Sequence, residues 1–161
     1  VVDRNVEIVP IAIGNKDGIE KLRIPKTRKG WTSNGASIAK IDIREGIEYS
    51  VEIRKIDTLN IQNIGLIKID VEGFELDVLK GAINTIKNQK PNLIIENEIV
   101  HNQNPDEIFQ FMSDIGYKIF YVNNNLQLVE KEESFDFKKN QIDPQNKNYN
   151  YIQNFIFIND N

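Results

Sequence analysis

The residues in this sequence with the clearest chemical potential are carboxylates at the ends of two apolar stretches. Asp70 and Glu72 close the apolar run at residues 64–71, and Glu96 closes the run at residues 91–96. Carboxylates in such positions can bind a cationic group, orient a hydroxyl or accept its proton. Acidic residues also favour the first turn of a helix for electrostatic reasons. The spacing alone therefore leaves both a ligand-binding and a structural role open.

The only histidine is a second candidate. His101 follows Glu96 by a few residues, and an imidazole titrates near neutral pH, which suits a base that removes a proton from a hydroxyl group. A loop histidine that simply faces solvent explains the same position. Trp31 with residues 32–34 could line a sugar-binding pocket, because aromatic faces and hydroxyl or amide groups suit sugars. The same stretch could equally form a half-buried lid.

Two other chemistries use the same carboxylates. Asp70 with Glu96 or Asn97 offers oxygen ligands of the kind that magnesium prefers, although we expect a site without a metal ion. Glu96 and Glu98 would lie roughly 6–7 Å apart on one face of an extended strand, near the separation found in inverting glycoside hydrolases. Adjacent side chains on one strand face cannot flank a sugar from opposite sides, so a hydrolase is the weakest hypothesis.

The strands and helices that must position these residues alternate along the second half of the chain. The predicted strands are residues 64–71, 91–96, 117–122 and 155–158, and the predicted helices are residues 76–88 and 106–115. This alternation predicts an α/β fold with a mostly parallel sheet and helices on both faces. The carboxyl ends of parallel strands meet at one edge of a sheet, so the acidic residues should converge on one rim.

The first half of the chain has a different pattern. It predicts strands at residues 6–14, 21–24 and 48–56. A turn at residues 14–18 ends the first strand, and a polar loop at residues 25–36 follows the second. Residues 123–150 form a polar connector before the last strand. We find no sign of a second domain and treat residues 1–161 as a single domain.

Composition narrows the function classes. With 161 residues, of which 40% are hydrophobic, the chain can bury the core of one globular domain. Its 20 basic and 24 acidic residues give a net charge of −4, which argues against a nucleic-acid partner. The lack of cysteine excludes disulfides and thiolate chemistry. No apolar run is long enough for a membrane helix, and we expect a cytoplasmic protein.

Two segments carry a resemblance to a known family. Residues 66–82 read LIKIDVEGFELDVLKGA, and residues 90–96 read KPNLIIE. Together they resemble the signature of the FkbM family of S-adenosylmethionine-dependent methyltransferases. Weaker agreement lies upstream, at residues 12–18 and 56–59. The resemblance therefore covers nearly the whole chain, most strongly at its centre.

The resemblance implies a Rossmann-like class I methyltransferase fold that uses S-adenosylmethionine to methylate a hydroxyl of a sugar, glycan or secondary metabolite. By match to the family signature, Asp70 and Glu72 would face the methionine part of the cofactor or the acceptor hydroxyl. Glu96 would act beside them, with His101 as a candidate base. Ala12 and Ile13 would lie near the adenine.

The sequence also departs from the family pattern. Family members open with a strand and a glycine-rich turn that hold the cofactor, and neither precedes residue 6 here. The chain thus resembles the C-terminal two thirds of such a domain, with the N-terminal strands missing. We expect the strand before Asp70 to be an exposed edge through which the chain could self-associate. The alternative to an enzyme is a degenerate methyltransferase fold that serves as an interaction module.

Overall fold

A computed structural model of the chain describes residues 5–27, 30–31, 36, 38, 46–141 and 151–159. The strands in these ranges are β1 (Ala12–Ile13), β2 (Gly18–Thr27), β3 (Gly30–Trp31), β4 (Gly46–Arg54), β5 (Leu66–Ile69), β6 (Asn92–Glu96), β7 (Tyr117–Val122), β8 (Leu128–Glu130) and β9 (Asn154–Asn159). The helices are α1 (Ile56–Leu59), α2 (Glu75–Gly81), α3 (Ile83–Gln89), α4 (Asp106–Asp114) and α5 (Phe137–Gln141). The predicted α/β class is confirmed.

The first sheet has the strand order β1-β4-β2-β3. β2 pairs antiparallel with both β3 and β4, and β1 pairs parallel with β4. The strand predicted at residues 21–24 is confirmed as part of β2. The strand predicted at residues 48–56 is confirmed as far as Arg54, where β4 ends, whereas Ile56 begins α1. The strand predicted over residues 6–14 is limited to Ala12–Ile13, and Val6 and Ile8 are exposed. A β-branched run favours a strand only where a partner is available, and β4 pairs with only two of these residues.

The second sheet has the strand order β5-β6-β9-β7-β8. β5 and β6 are parallel, whereas β9 pairs antiparallel with both β6 and β7, and β8 pairs antiparallel with β7. The expectation of a mostly parallel sheet is therefore wrong, because the last strand inserts between β6 and β7 and runs against them. β5, β6 and β7 still point the same way, so their carboxyl ends share one edge.

The main core covers one face of the second sheet. Side chains along each strand point alternately towards this core and away from it. The buried strand residues are Leu93, Ile95, Ile119, Phe155 and Phe157. Leu79, Ile86, Ile108, Phe109 and Met112 of α2, α3 and α4 belong to the same cluster. The rings of Phe109, Phe137 and Phe155 pack with centroids 4.8–5.8 Å apart.

The opposite face of that sheet lies outside this core. Leu66 is 58% exposed, and Ile94 and Ile156, which face the same side, are not part of the cluster. The described helices contribute their buried residues to the first face. The expectation of helices on both faces is therefore not met by the described part of the chain.

Two glycines bring the first sheet against α2. A Cβ atom at Gly81 would overlap the carbonyl oxygen of Gly14, and a Cβ atom at Gly14 would lie 2.6 Å from Ile53 and 2.8 Å from Phe74. The backbone at Gly14 is fixed from the other side, where its N–H donates to the carbonyl of Arg54 at 3.0 Å. Only glycine allows so close an approach. The contact holds the residue that follows β1 against α2, the helix that follows the first strand of the second sheet.

Asp17 and Asp57 stabilise the connection between the two sheets. Asp17 accepts hydrogen bonds from the Lys55 N–H and the Thr58 hydroxyl, both at 2.9 Å. Asp57 accepts from the N–H groups of Asn84 and Thr85 at 3.2 and 2.8 Å. These two N–H groups belong to the first turn of α3, which has no local side-chain cap. Asp57 therefore caps α3 from a distant part of the chain.

We predict that Gly81→Ala destabilises the protein by at least about 2 kcal/mol, because the added methyl group meets backbone that cannot move away cheaply. In an isolated helix the same change would stabilise the helix by about 1 kcal/mol. The sign of the change in unfolding free energy therefore distinguishes tertiary packing from helix propensity. Urea unfolding gives the free energy. Gly65→Ala is the control, because nothing lies within 4 Å of its Cβ position. Equal stability of the wild type and Gly81→Ala would contradict the packing described here.

We predict that Asp57→Ala lowers the free energy of unfolding by about 1–2 kcal/mol at pH 7 through loss of the α3 cap. Partial burial raises the pKa of Asp57, but the hydrogen bonds from Thr85 and Asn84 outweigh burial and hold the pKa below its ordinary value. The stabilisation is therefore complete above the ordinary aspartate pKa and disappears as the pH falls through the lowered value.

Urea unfolding of the Asp57→Ala variant at neutral and acidic pH measures both effects. The difference from the wild type should shrink as the pH approaches about 2. Asp114→Ala, at the exposed end of α4, should leave stability unchanged or slightly higher because a negative charge is unfavourable there. A pH-independent difference for Asp57→Ala would show that the carboxylate charge is not involved.

Candidate functional site

The carboxyl ends of β5 and β6 form an acidic rim. The strands pair in parallel with Ile69 opposite Ile95, so Asp70 and Glu96 lie side by side. The Lys68 ammonium lies 3.7 Å from Asp70 Oδ2 and 3.9 Å from Glu96 Oε2. The structure thus confirms the convergence of Asp70 and Glu96 that parallel pairing predicted.

Glu96 has the most perturbed carboxyl group of the rim. Partial burial raises its pKa, and the hydrogen bond and negative charge of Asp70 raise it further, to about 7, against the opposing charge of Lys68. The raised pKa means that Glu96 keeps its proton to a higher pH than an ordinary glutamate does. The rim can therefore both accept and donate a hydrogen bond.

The loop between β5 and α2 has an unusual backbone. Glu72 has a φ of 52° and Gly73 has a φ of 93°. Both values are positive, which residues other than glycine seldom adopt. The buried Glu75 carboxylate shapes this loop by accepting the Gly73 N–H at 3.0 Å. Burial raises the pKa of Glu75. Its role is structural, and it leaves Glu72 directed towards the loop that follows β6.

His101 meets Glu72 across the two loops. Its Nε2 atom lies 2.9 Å from Glu72 Oε2 and 3.6 Å from Glu98 Oε2. The backbones are close as well, because a Cβ atom at Gly73 would lie 2.5 Å from the His101 carbonyl oxygen. The hydroxyl of Tyr151 donates to Glu98 Oε1 at 2.7 Å. Glu72, Glu98 and His101 are therefore held together in one group.

A crevice and a cavity meet at Asp70. The crevice is lined by Asp70, Glu72, Glu75, Glu96, Glu98 and His101. The cavity has a volume of about 490 Å³, and its walls include Ala12, Ile13, Val71, Phe74 and Asp70. Asp70 is the residue that lines both.

The residues predicted from the sequence are divided between the cavity and the crevice. Ala12, Ile13 and Asp70 share the cavity, which is the grouping that the resemblance implied for the cofactor. Glu72 lies outside that cavity and faces His101 in the crevice instead. Residues 32–34 lie outside the described part of the chain, and the side chain of Trp31 is not among the described ones.

Asn97 does not contribute to the rim. It is fully buried, donates to the Pro105 carbonyl at 2.9 Å and accepts from the side chain of Asn102 at 3.1 Å. This amide fixes the loop after β6 from inside. The oxygen set suggested for magnesium from Asp70 and Asn97 is therefore not assembled.

Sequence reasoning missed Gln141, which supports the same loop. Its amide donates to the carbonyls of Asn97 and Ile152 at 2.8 and 2.7 Å, and its oxygen accepts the Ile99 N–H at 2.8 Å. Gln141 is the last residue of α5 and lies in the stretch predicted to be a polar connector, and only the burial of its polar side chain reveals its role. It ties the loop that carries Glu98 and His101 to α5 and to the segment before β9.

The family comparison gives a clear match. The family model for the methyltransferase FkbM domain matches residues 2–119. A solved structure, methyltransferase FkbM from Methylobacillus flagellatus KT, is 21% identical with a TM-score of 0.41, and the match covers 67% of this chain and 23% of that one. This chain therefore spans about a quarter of the length of that protein. Curated proteins give no significant match. None of the described helices is both long and apolar enough to cross a membrane.

We predict that Asp70→Asn lowers the pKa of Glu96 from about 7 but leaves it above the ordinary glutamate value. The substitution removes the charge of Asp70, whereas burial, the largest cause of the shift, remains. Carboxyl carbon chemical shifts in an NMR titration of glutamate-labelled protein in chelator-treated buffer measure this pKa. An unchanged Glu96 pKa would show that the two carboxyls do not interact.

Proposed function

Because this chain belongs to the FkbM methyltransferase domain family, we propose that it takes part in methyl transfer from S-adenosylmethionine to a hydroxyl group of a small-molecule or glycan acceptor. The observation that carries this proposal is the position of Asp70. It lines both the cavity and the acidic crevice. A donor in the cavity and a hydroxyl lying over the narrow opening of the crevice would meet at this residue.

The residues of the cavity fit the chemical parts of the donor. A volume of about 490 Å³ falls within the roughly 300–1,000 Å³ of small-molecule sites. Ala12, Ile13 and Phe74 provide apolar walls for the adenine, and the Asp70 carboxylate suits the positively charged methionine end. When bound, S-adenosylmethionine supplies an electrophilic methyl group.

The crevice residues would position and deprotonate the acceptor. Asp70 or Glu96 would accept the hydrogen bond of the hydroxyl and take up its one proton, either directly or through His101. Lys68, 3.7 and 3.9 Å from the two carboxylates, offsets part of their repulsion. Methyl transfer requires the hydroxyl oxygen to be aligned with the reacting carbon, so most of the rate gain would come from this positioning.

The charge of the crevice limits the acceptor class. Asp70, Glu72, Glu96 and Glu98 all face the crevice, which disfavours an acceptor with phosphate or carboxylate groups near its hydroxyl. The crevice is too narrow to admit an acceptor, so the acceptor would lie over its opening, and a neutral sugar or polyol suits the charges there best. A nucleic acid fits poorly for the same reason.

Two further expectations stay predictions. β5 is an edge strand of its sheet with Leu66 largely exposed, which is the arrangement that favours pairing with a second copy. The cytoplasmic location is likewise a prediction.

We predict that Asp70→Asn reduces methyl transfer at least tenfold while the protein stays folded, because a rim carboxylate serves the ligand rather than the core. Formation of S-adenosylhomocysteine with a panel of sugar and polyol acceptors gives turnover, and calorimetry with S-adenosylhomocysteine gives cofactor affinity. Asp114→Asn, the same chemical change far from the site, is the control. It should leave both quantities unchanged.

The outcomes separate the hypotheses. Loss of turnover in Asp70→Asn with wild-type folding supports the proposal. Cofactor binding without turnover for any acceptor would favour the interaction module. Full activity of Asp70→Asn would remove this residue from the site, and failure of the wild type to bind the cofactor would contradict the assignment of the cavity.

A further inference from the structure

We propose that Glu72, Glu98 and His101 form a binding site for a divalent transition-metal ion of the zinc type. One ligand atom from each residue lies within 4.8 Å of the others. One imidazole nitrogen and two carboxylate oxygens are a donor set that zinc accepts, with open positions left for water or a substrate oxygen.

The two distances from His101 are close to those found around a common ion. Two ligand atoms that each lie about 2.1 Å from a tetrahedral zinc ion are about 3.4 Å apart. His101 Nε2 is 2.9 Å from Glu72 Oε2 and 3.6 Å from Glu98 Oε2, values on either side of that separation. The three side chains could therefore bind an ion after shifts of less than about 1 Å at any one atom.

The hydrogen bond between His101 and Glu72 brings only one of the two carboxylates into direct contact with the imidazole. The Glu72 contact at 2.9 Å is an ordinary hydrogen-bond distance, but the Glu98 contact at 3.6 Å is too long for one. Glu98 Oε2 nevertheless lies within ion-pair distance of the same nitrogen. A cation between the three atoms would pair with both carboxylates.

The surroundings hold the ligands in place. The hydroxyl of Tyr151 donates to Glu98 Oε1, which leaves Oε2 directed at His101, as outer hydrogen bonds often orient metal ligands. The side chains of Glu72, His101 and Glu98 are 31%, 30% and 14% exposed. They are shielded enough to be ordered and open enough for an ion to enter.

The charge of the crevice also favours a cation. Five carboxyl groups line the crevice, and the described ion pairs of the Lys68 ammonium are with Asp70 and Glu96 rather than with Glu72 and Glu98. A divalent ion at His101 would neutralise the charges of Glu72 and Glu98. It would also occupy His101 Nε2, and in the proposed reaction the hydroxyl proton would then pass to Asp70 and Glu96 alone.

The test needs no donor or acceptor, so its result is separate from that of the methyl-transfer assay. The untagged chain is stripped with a chelator and titrated with zinc chloride by calorimetry. In parallel, nitrogen NMR follows the imidazole of His101, the only histidine. We expect one zinc ion per chain and a shift of the His101 nitrogen resonances that saturates with the heat signal.

The variants make the test specific. Glu98→Gln keeps the size of the side chain and should weaken zinc binding at least tenfold, and His101→Ala should weaken it further. Glu132→Gln, an exposed residue outside the crevice, should bind zinc like the wild type. Unshifted His101 resonances at saturating zinc, or wild-type affinity in folded Glu98→Gln, would overturn the proposal. Binding of an adventitious ion elsewhere would give heat without the shift and would also overturn it.

Discussion

The backbone contact between Gly14 and Gly81 is the constraint from which the site's geometry follows. No side chain fits between the Gly14 carbonyl and the Gly81 α-carbon, so β1 and α2 approach as closely as two backbones can. This approach brings Ala12 and Ile13 to the same cavity as Asp70. Asn15 also hydrogen bonds to Asp77 of α2 next to the contact. The first sheet is thereby docked onto the strand that carries the acidic rim.

The second requirement is the parallel pairing of β5 and β6. It sets Asp70 beside Glu96, and the two loops that leave these strands then meet on the same side. Gly73 lets the first loop touch the His101 backbone, while Asn97 and Gln141 fix the second loop from within through backbone carbonyls. The exposed acids are therefore positioned by buried amides and glycines. The segment that resembles the family signature contains both the rim carboxylates and the packing residues that position them.

Sequence reasoning predicted the parts that depend on local pattern. Alternating strands and helices around Asp70 and Glu96 were enough to place the two carboxylates on one rim, because parallel neighbours share an edge. The antiparallel position of β9 was not predictable in this way, because pairing between distant strands leaves no trace in local periodicity. The same holds for the six residues before β1: their β-branched pattern is present, but the pairing partner is not among the described strands.

The individual candidate residues could be named from the sequence, but their arrangement could not. Glu72 and His101 were both candidates, yet their contact depends on a left-handed backbone at Glu72 that the sequence does not specify. Asn97 looked like a rim residue because it follows a strand, but its amide is turned inwards by the Pro105 carbonyl. Strand ends can be assigned to an edge from sequence, whereas loop conformation decides which of their side chains face a ligand.

The central claim, that the cofactor occupies the cavity bounded by β1 and Asp70, is tested most directly by NMR of isoleucine methyl groups with S-adenosylhomocysteine. Ile11 and Ile13 line this cavity, whereas Ile94 and Ile156 lie on the opposite face of the second sheet. We predict saturable shifts of the Ile11 and Ile13 methyl resonances and little change at Ile94 and Ile156. Unshifted Ile11 and Ile13 resonances at saturating ligand, or shifts confined to Ile94 and Ile156, would contradict the claim.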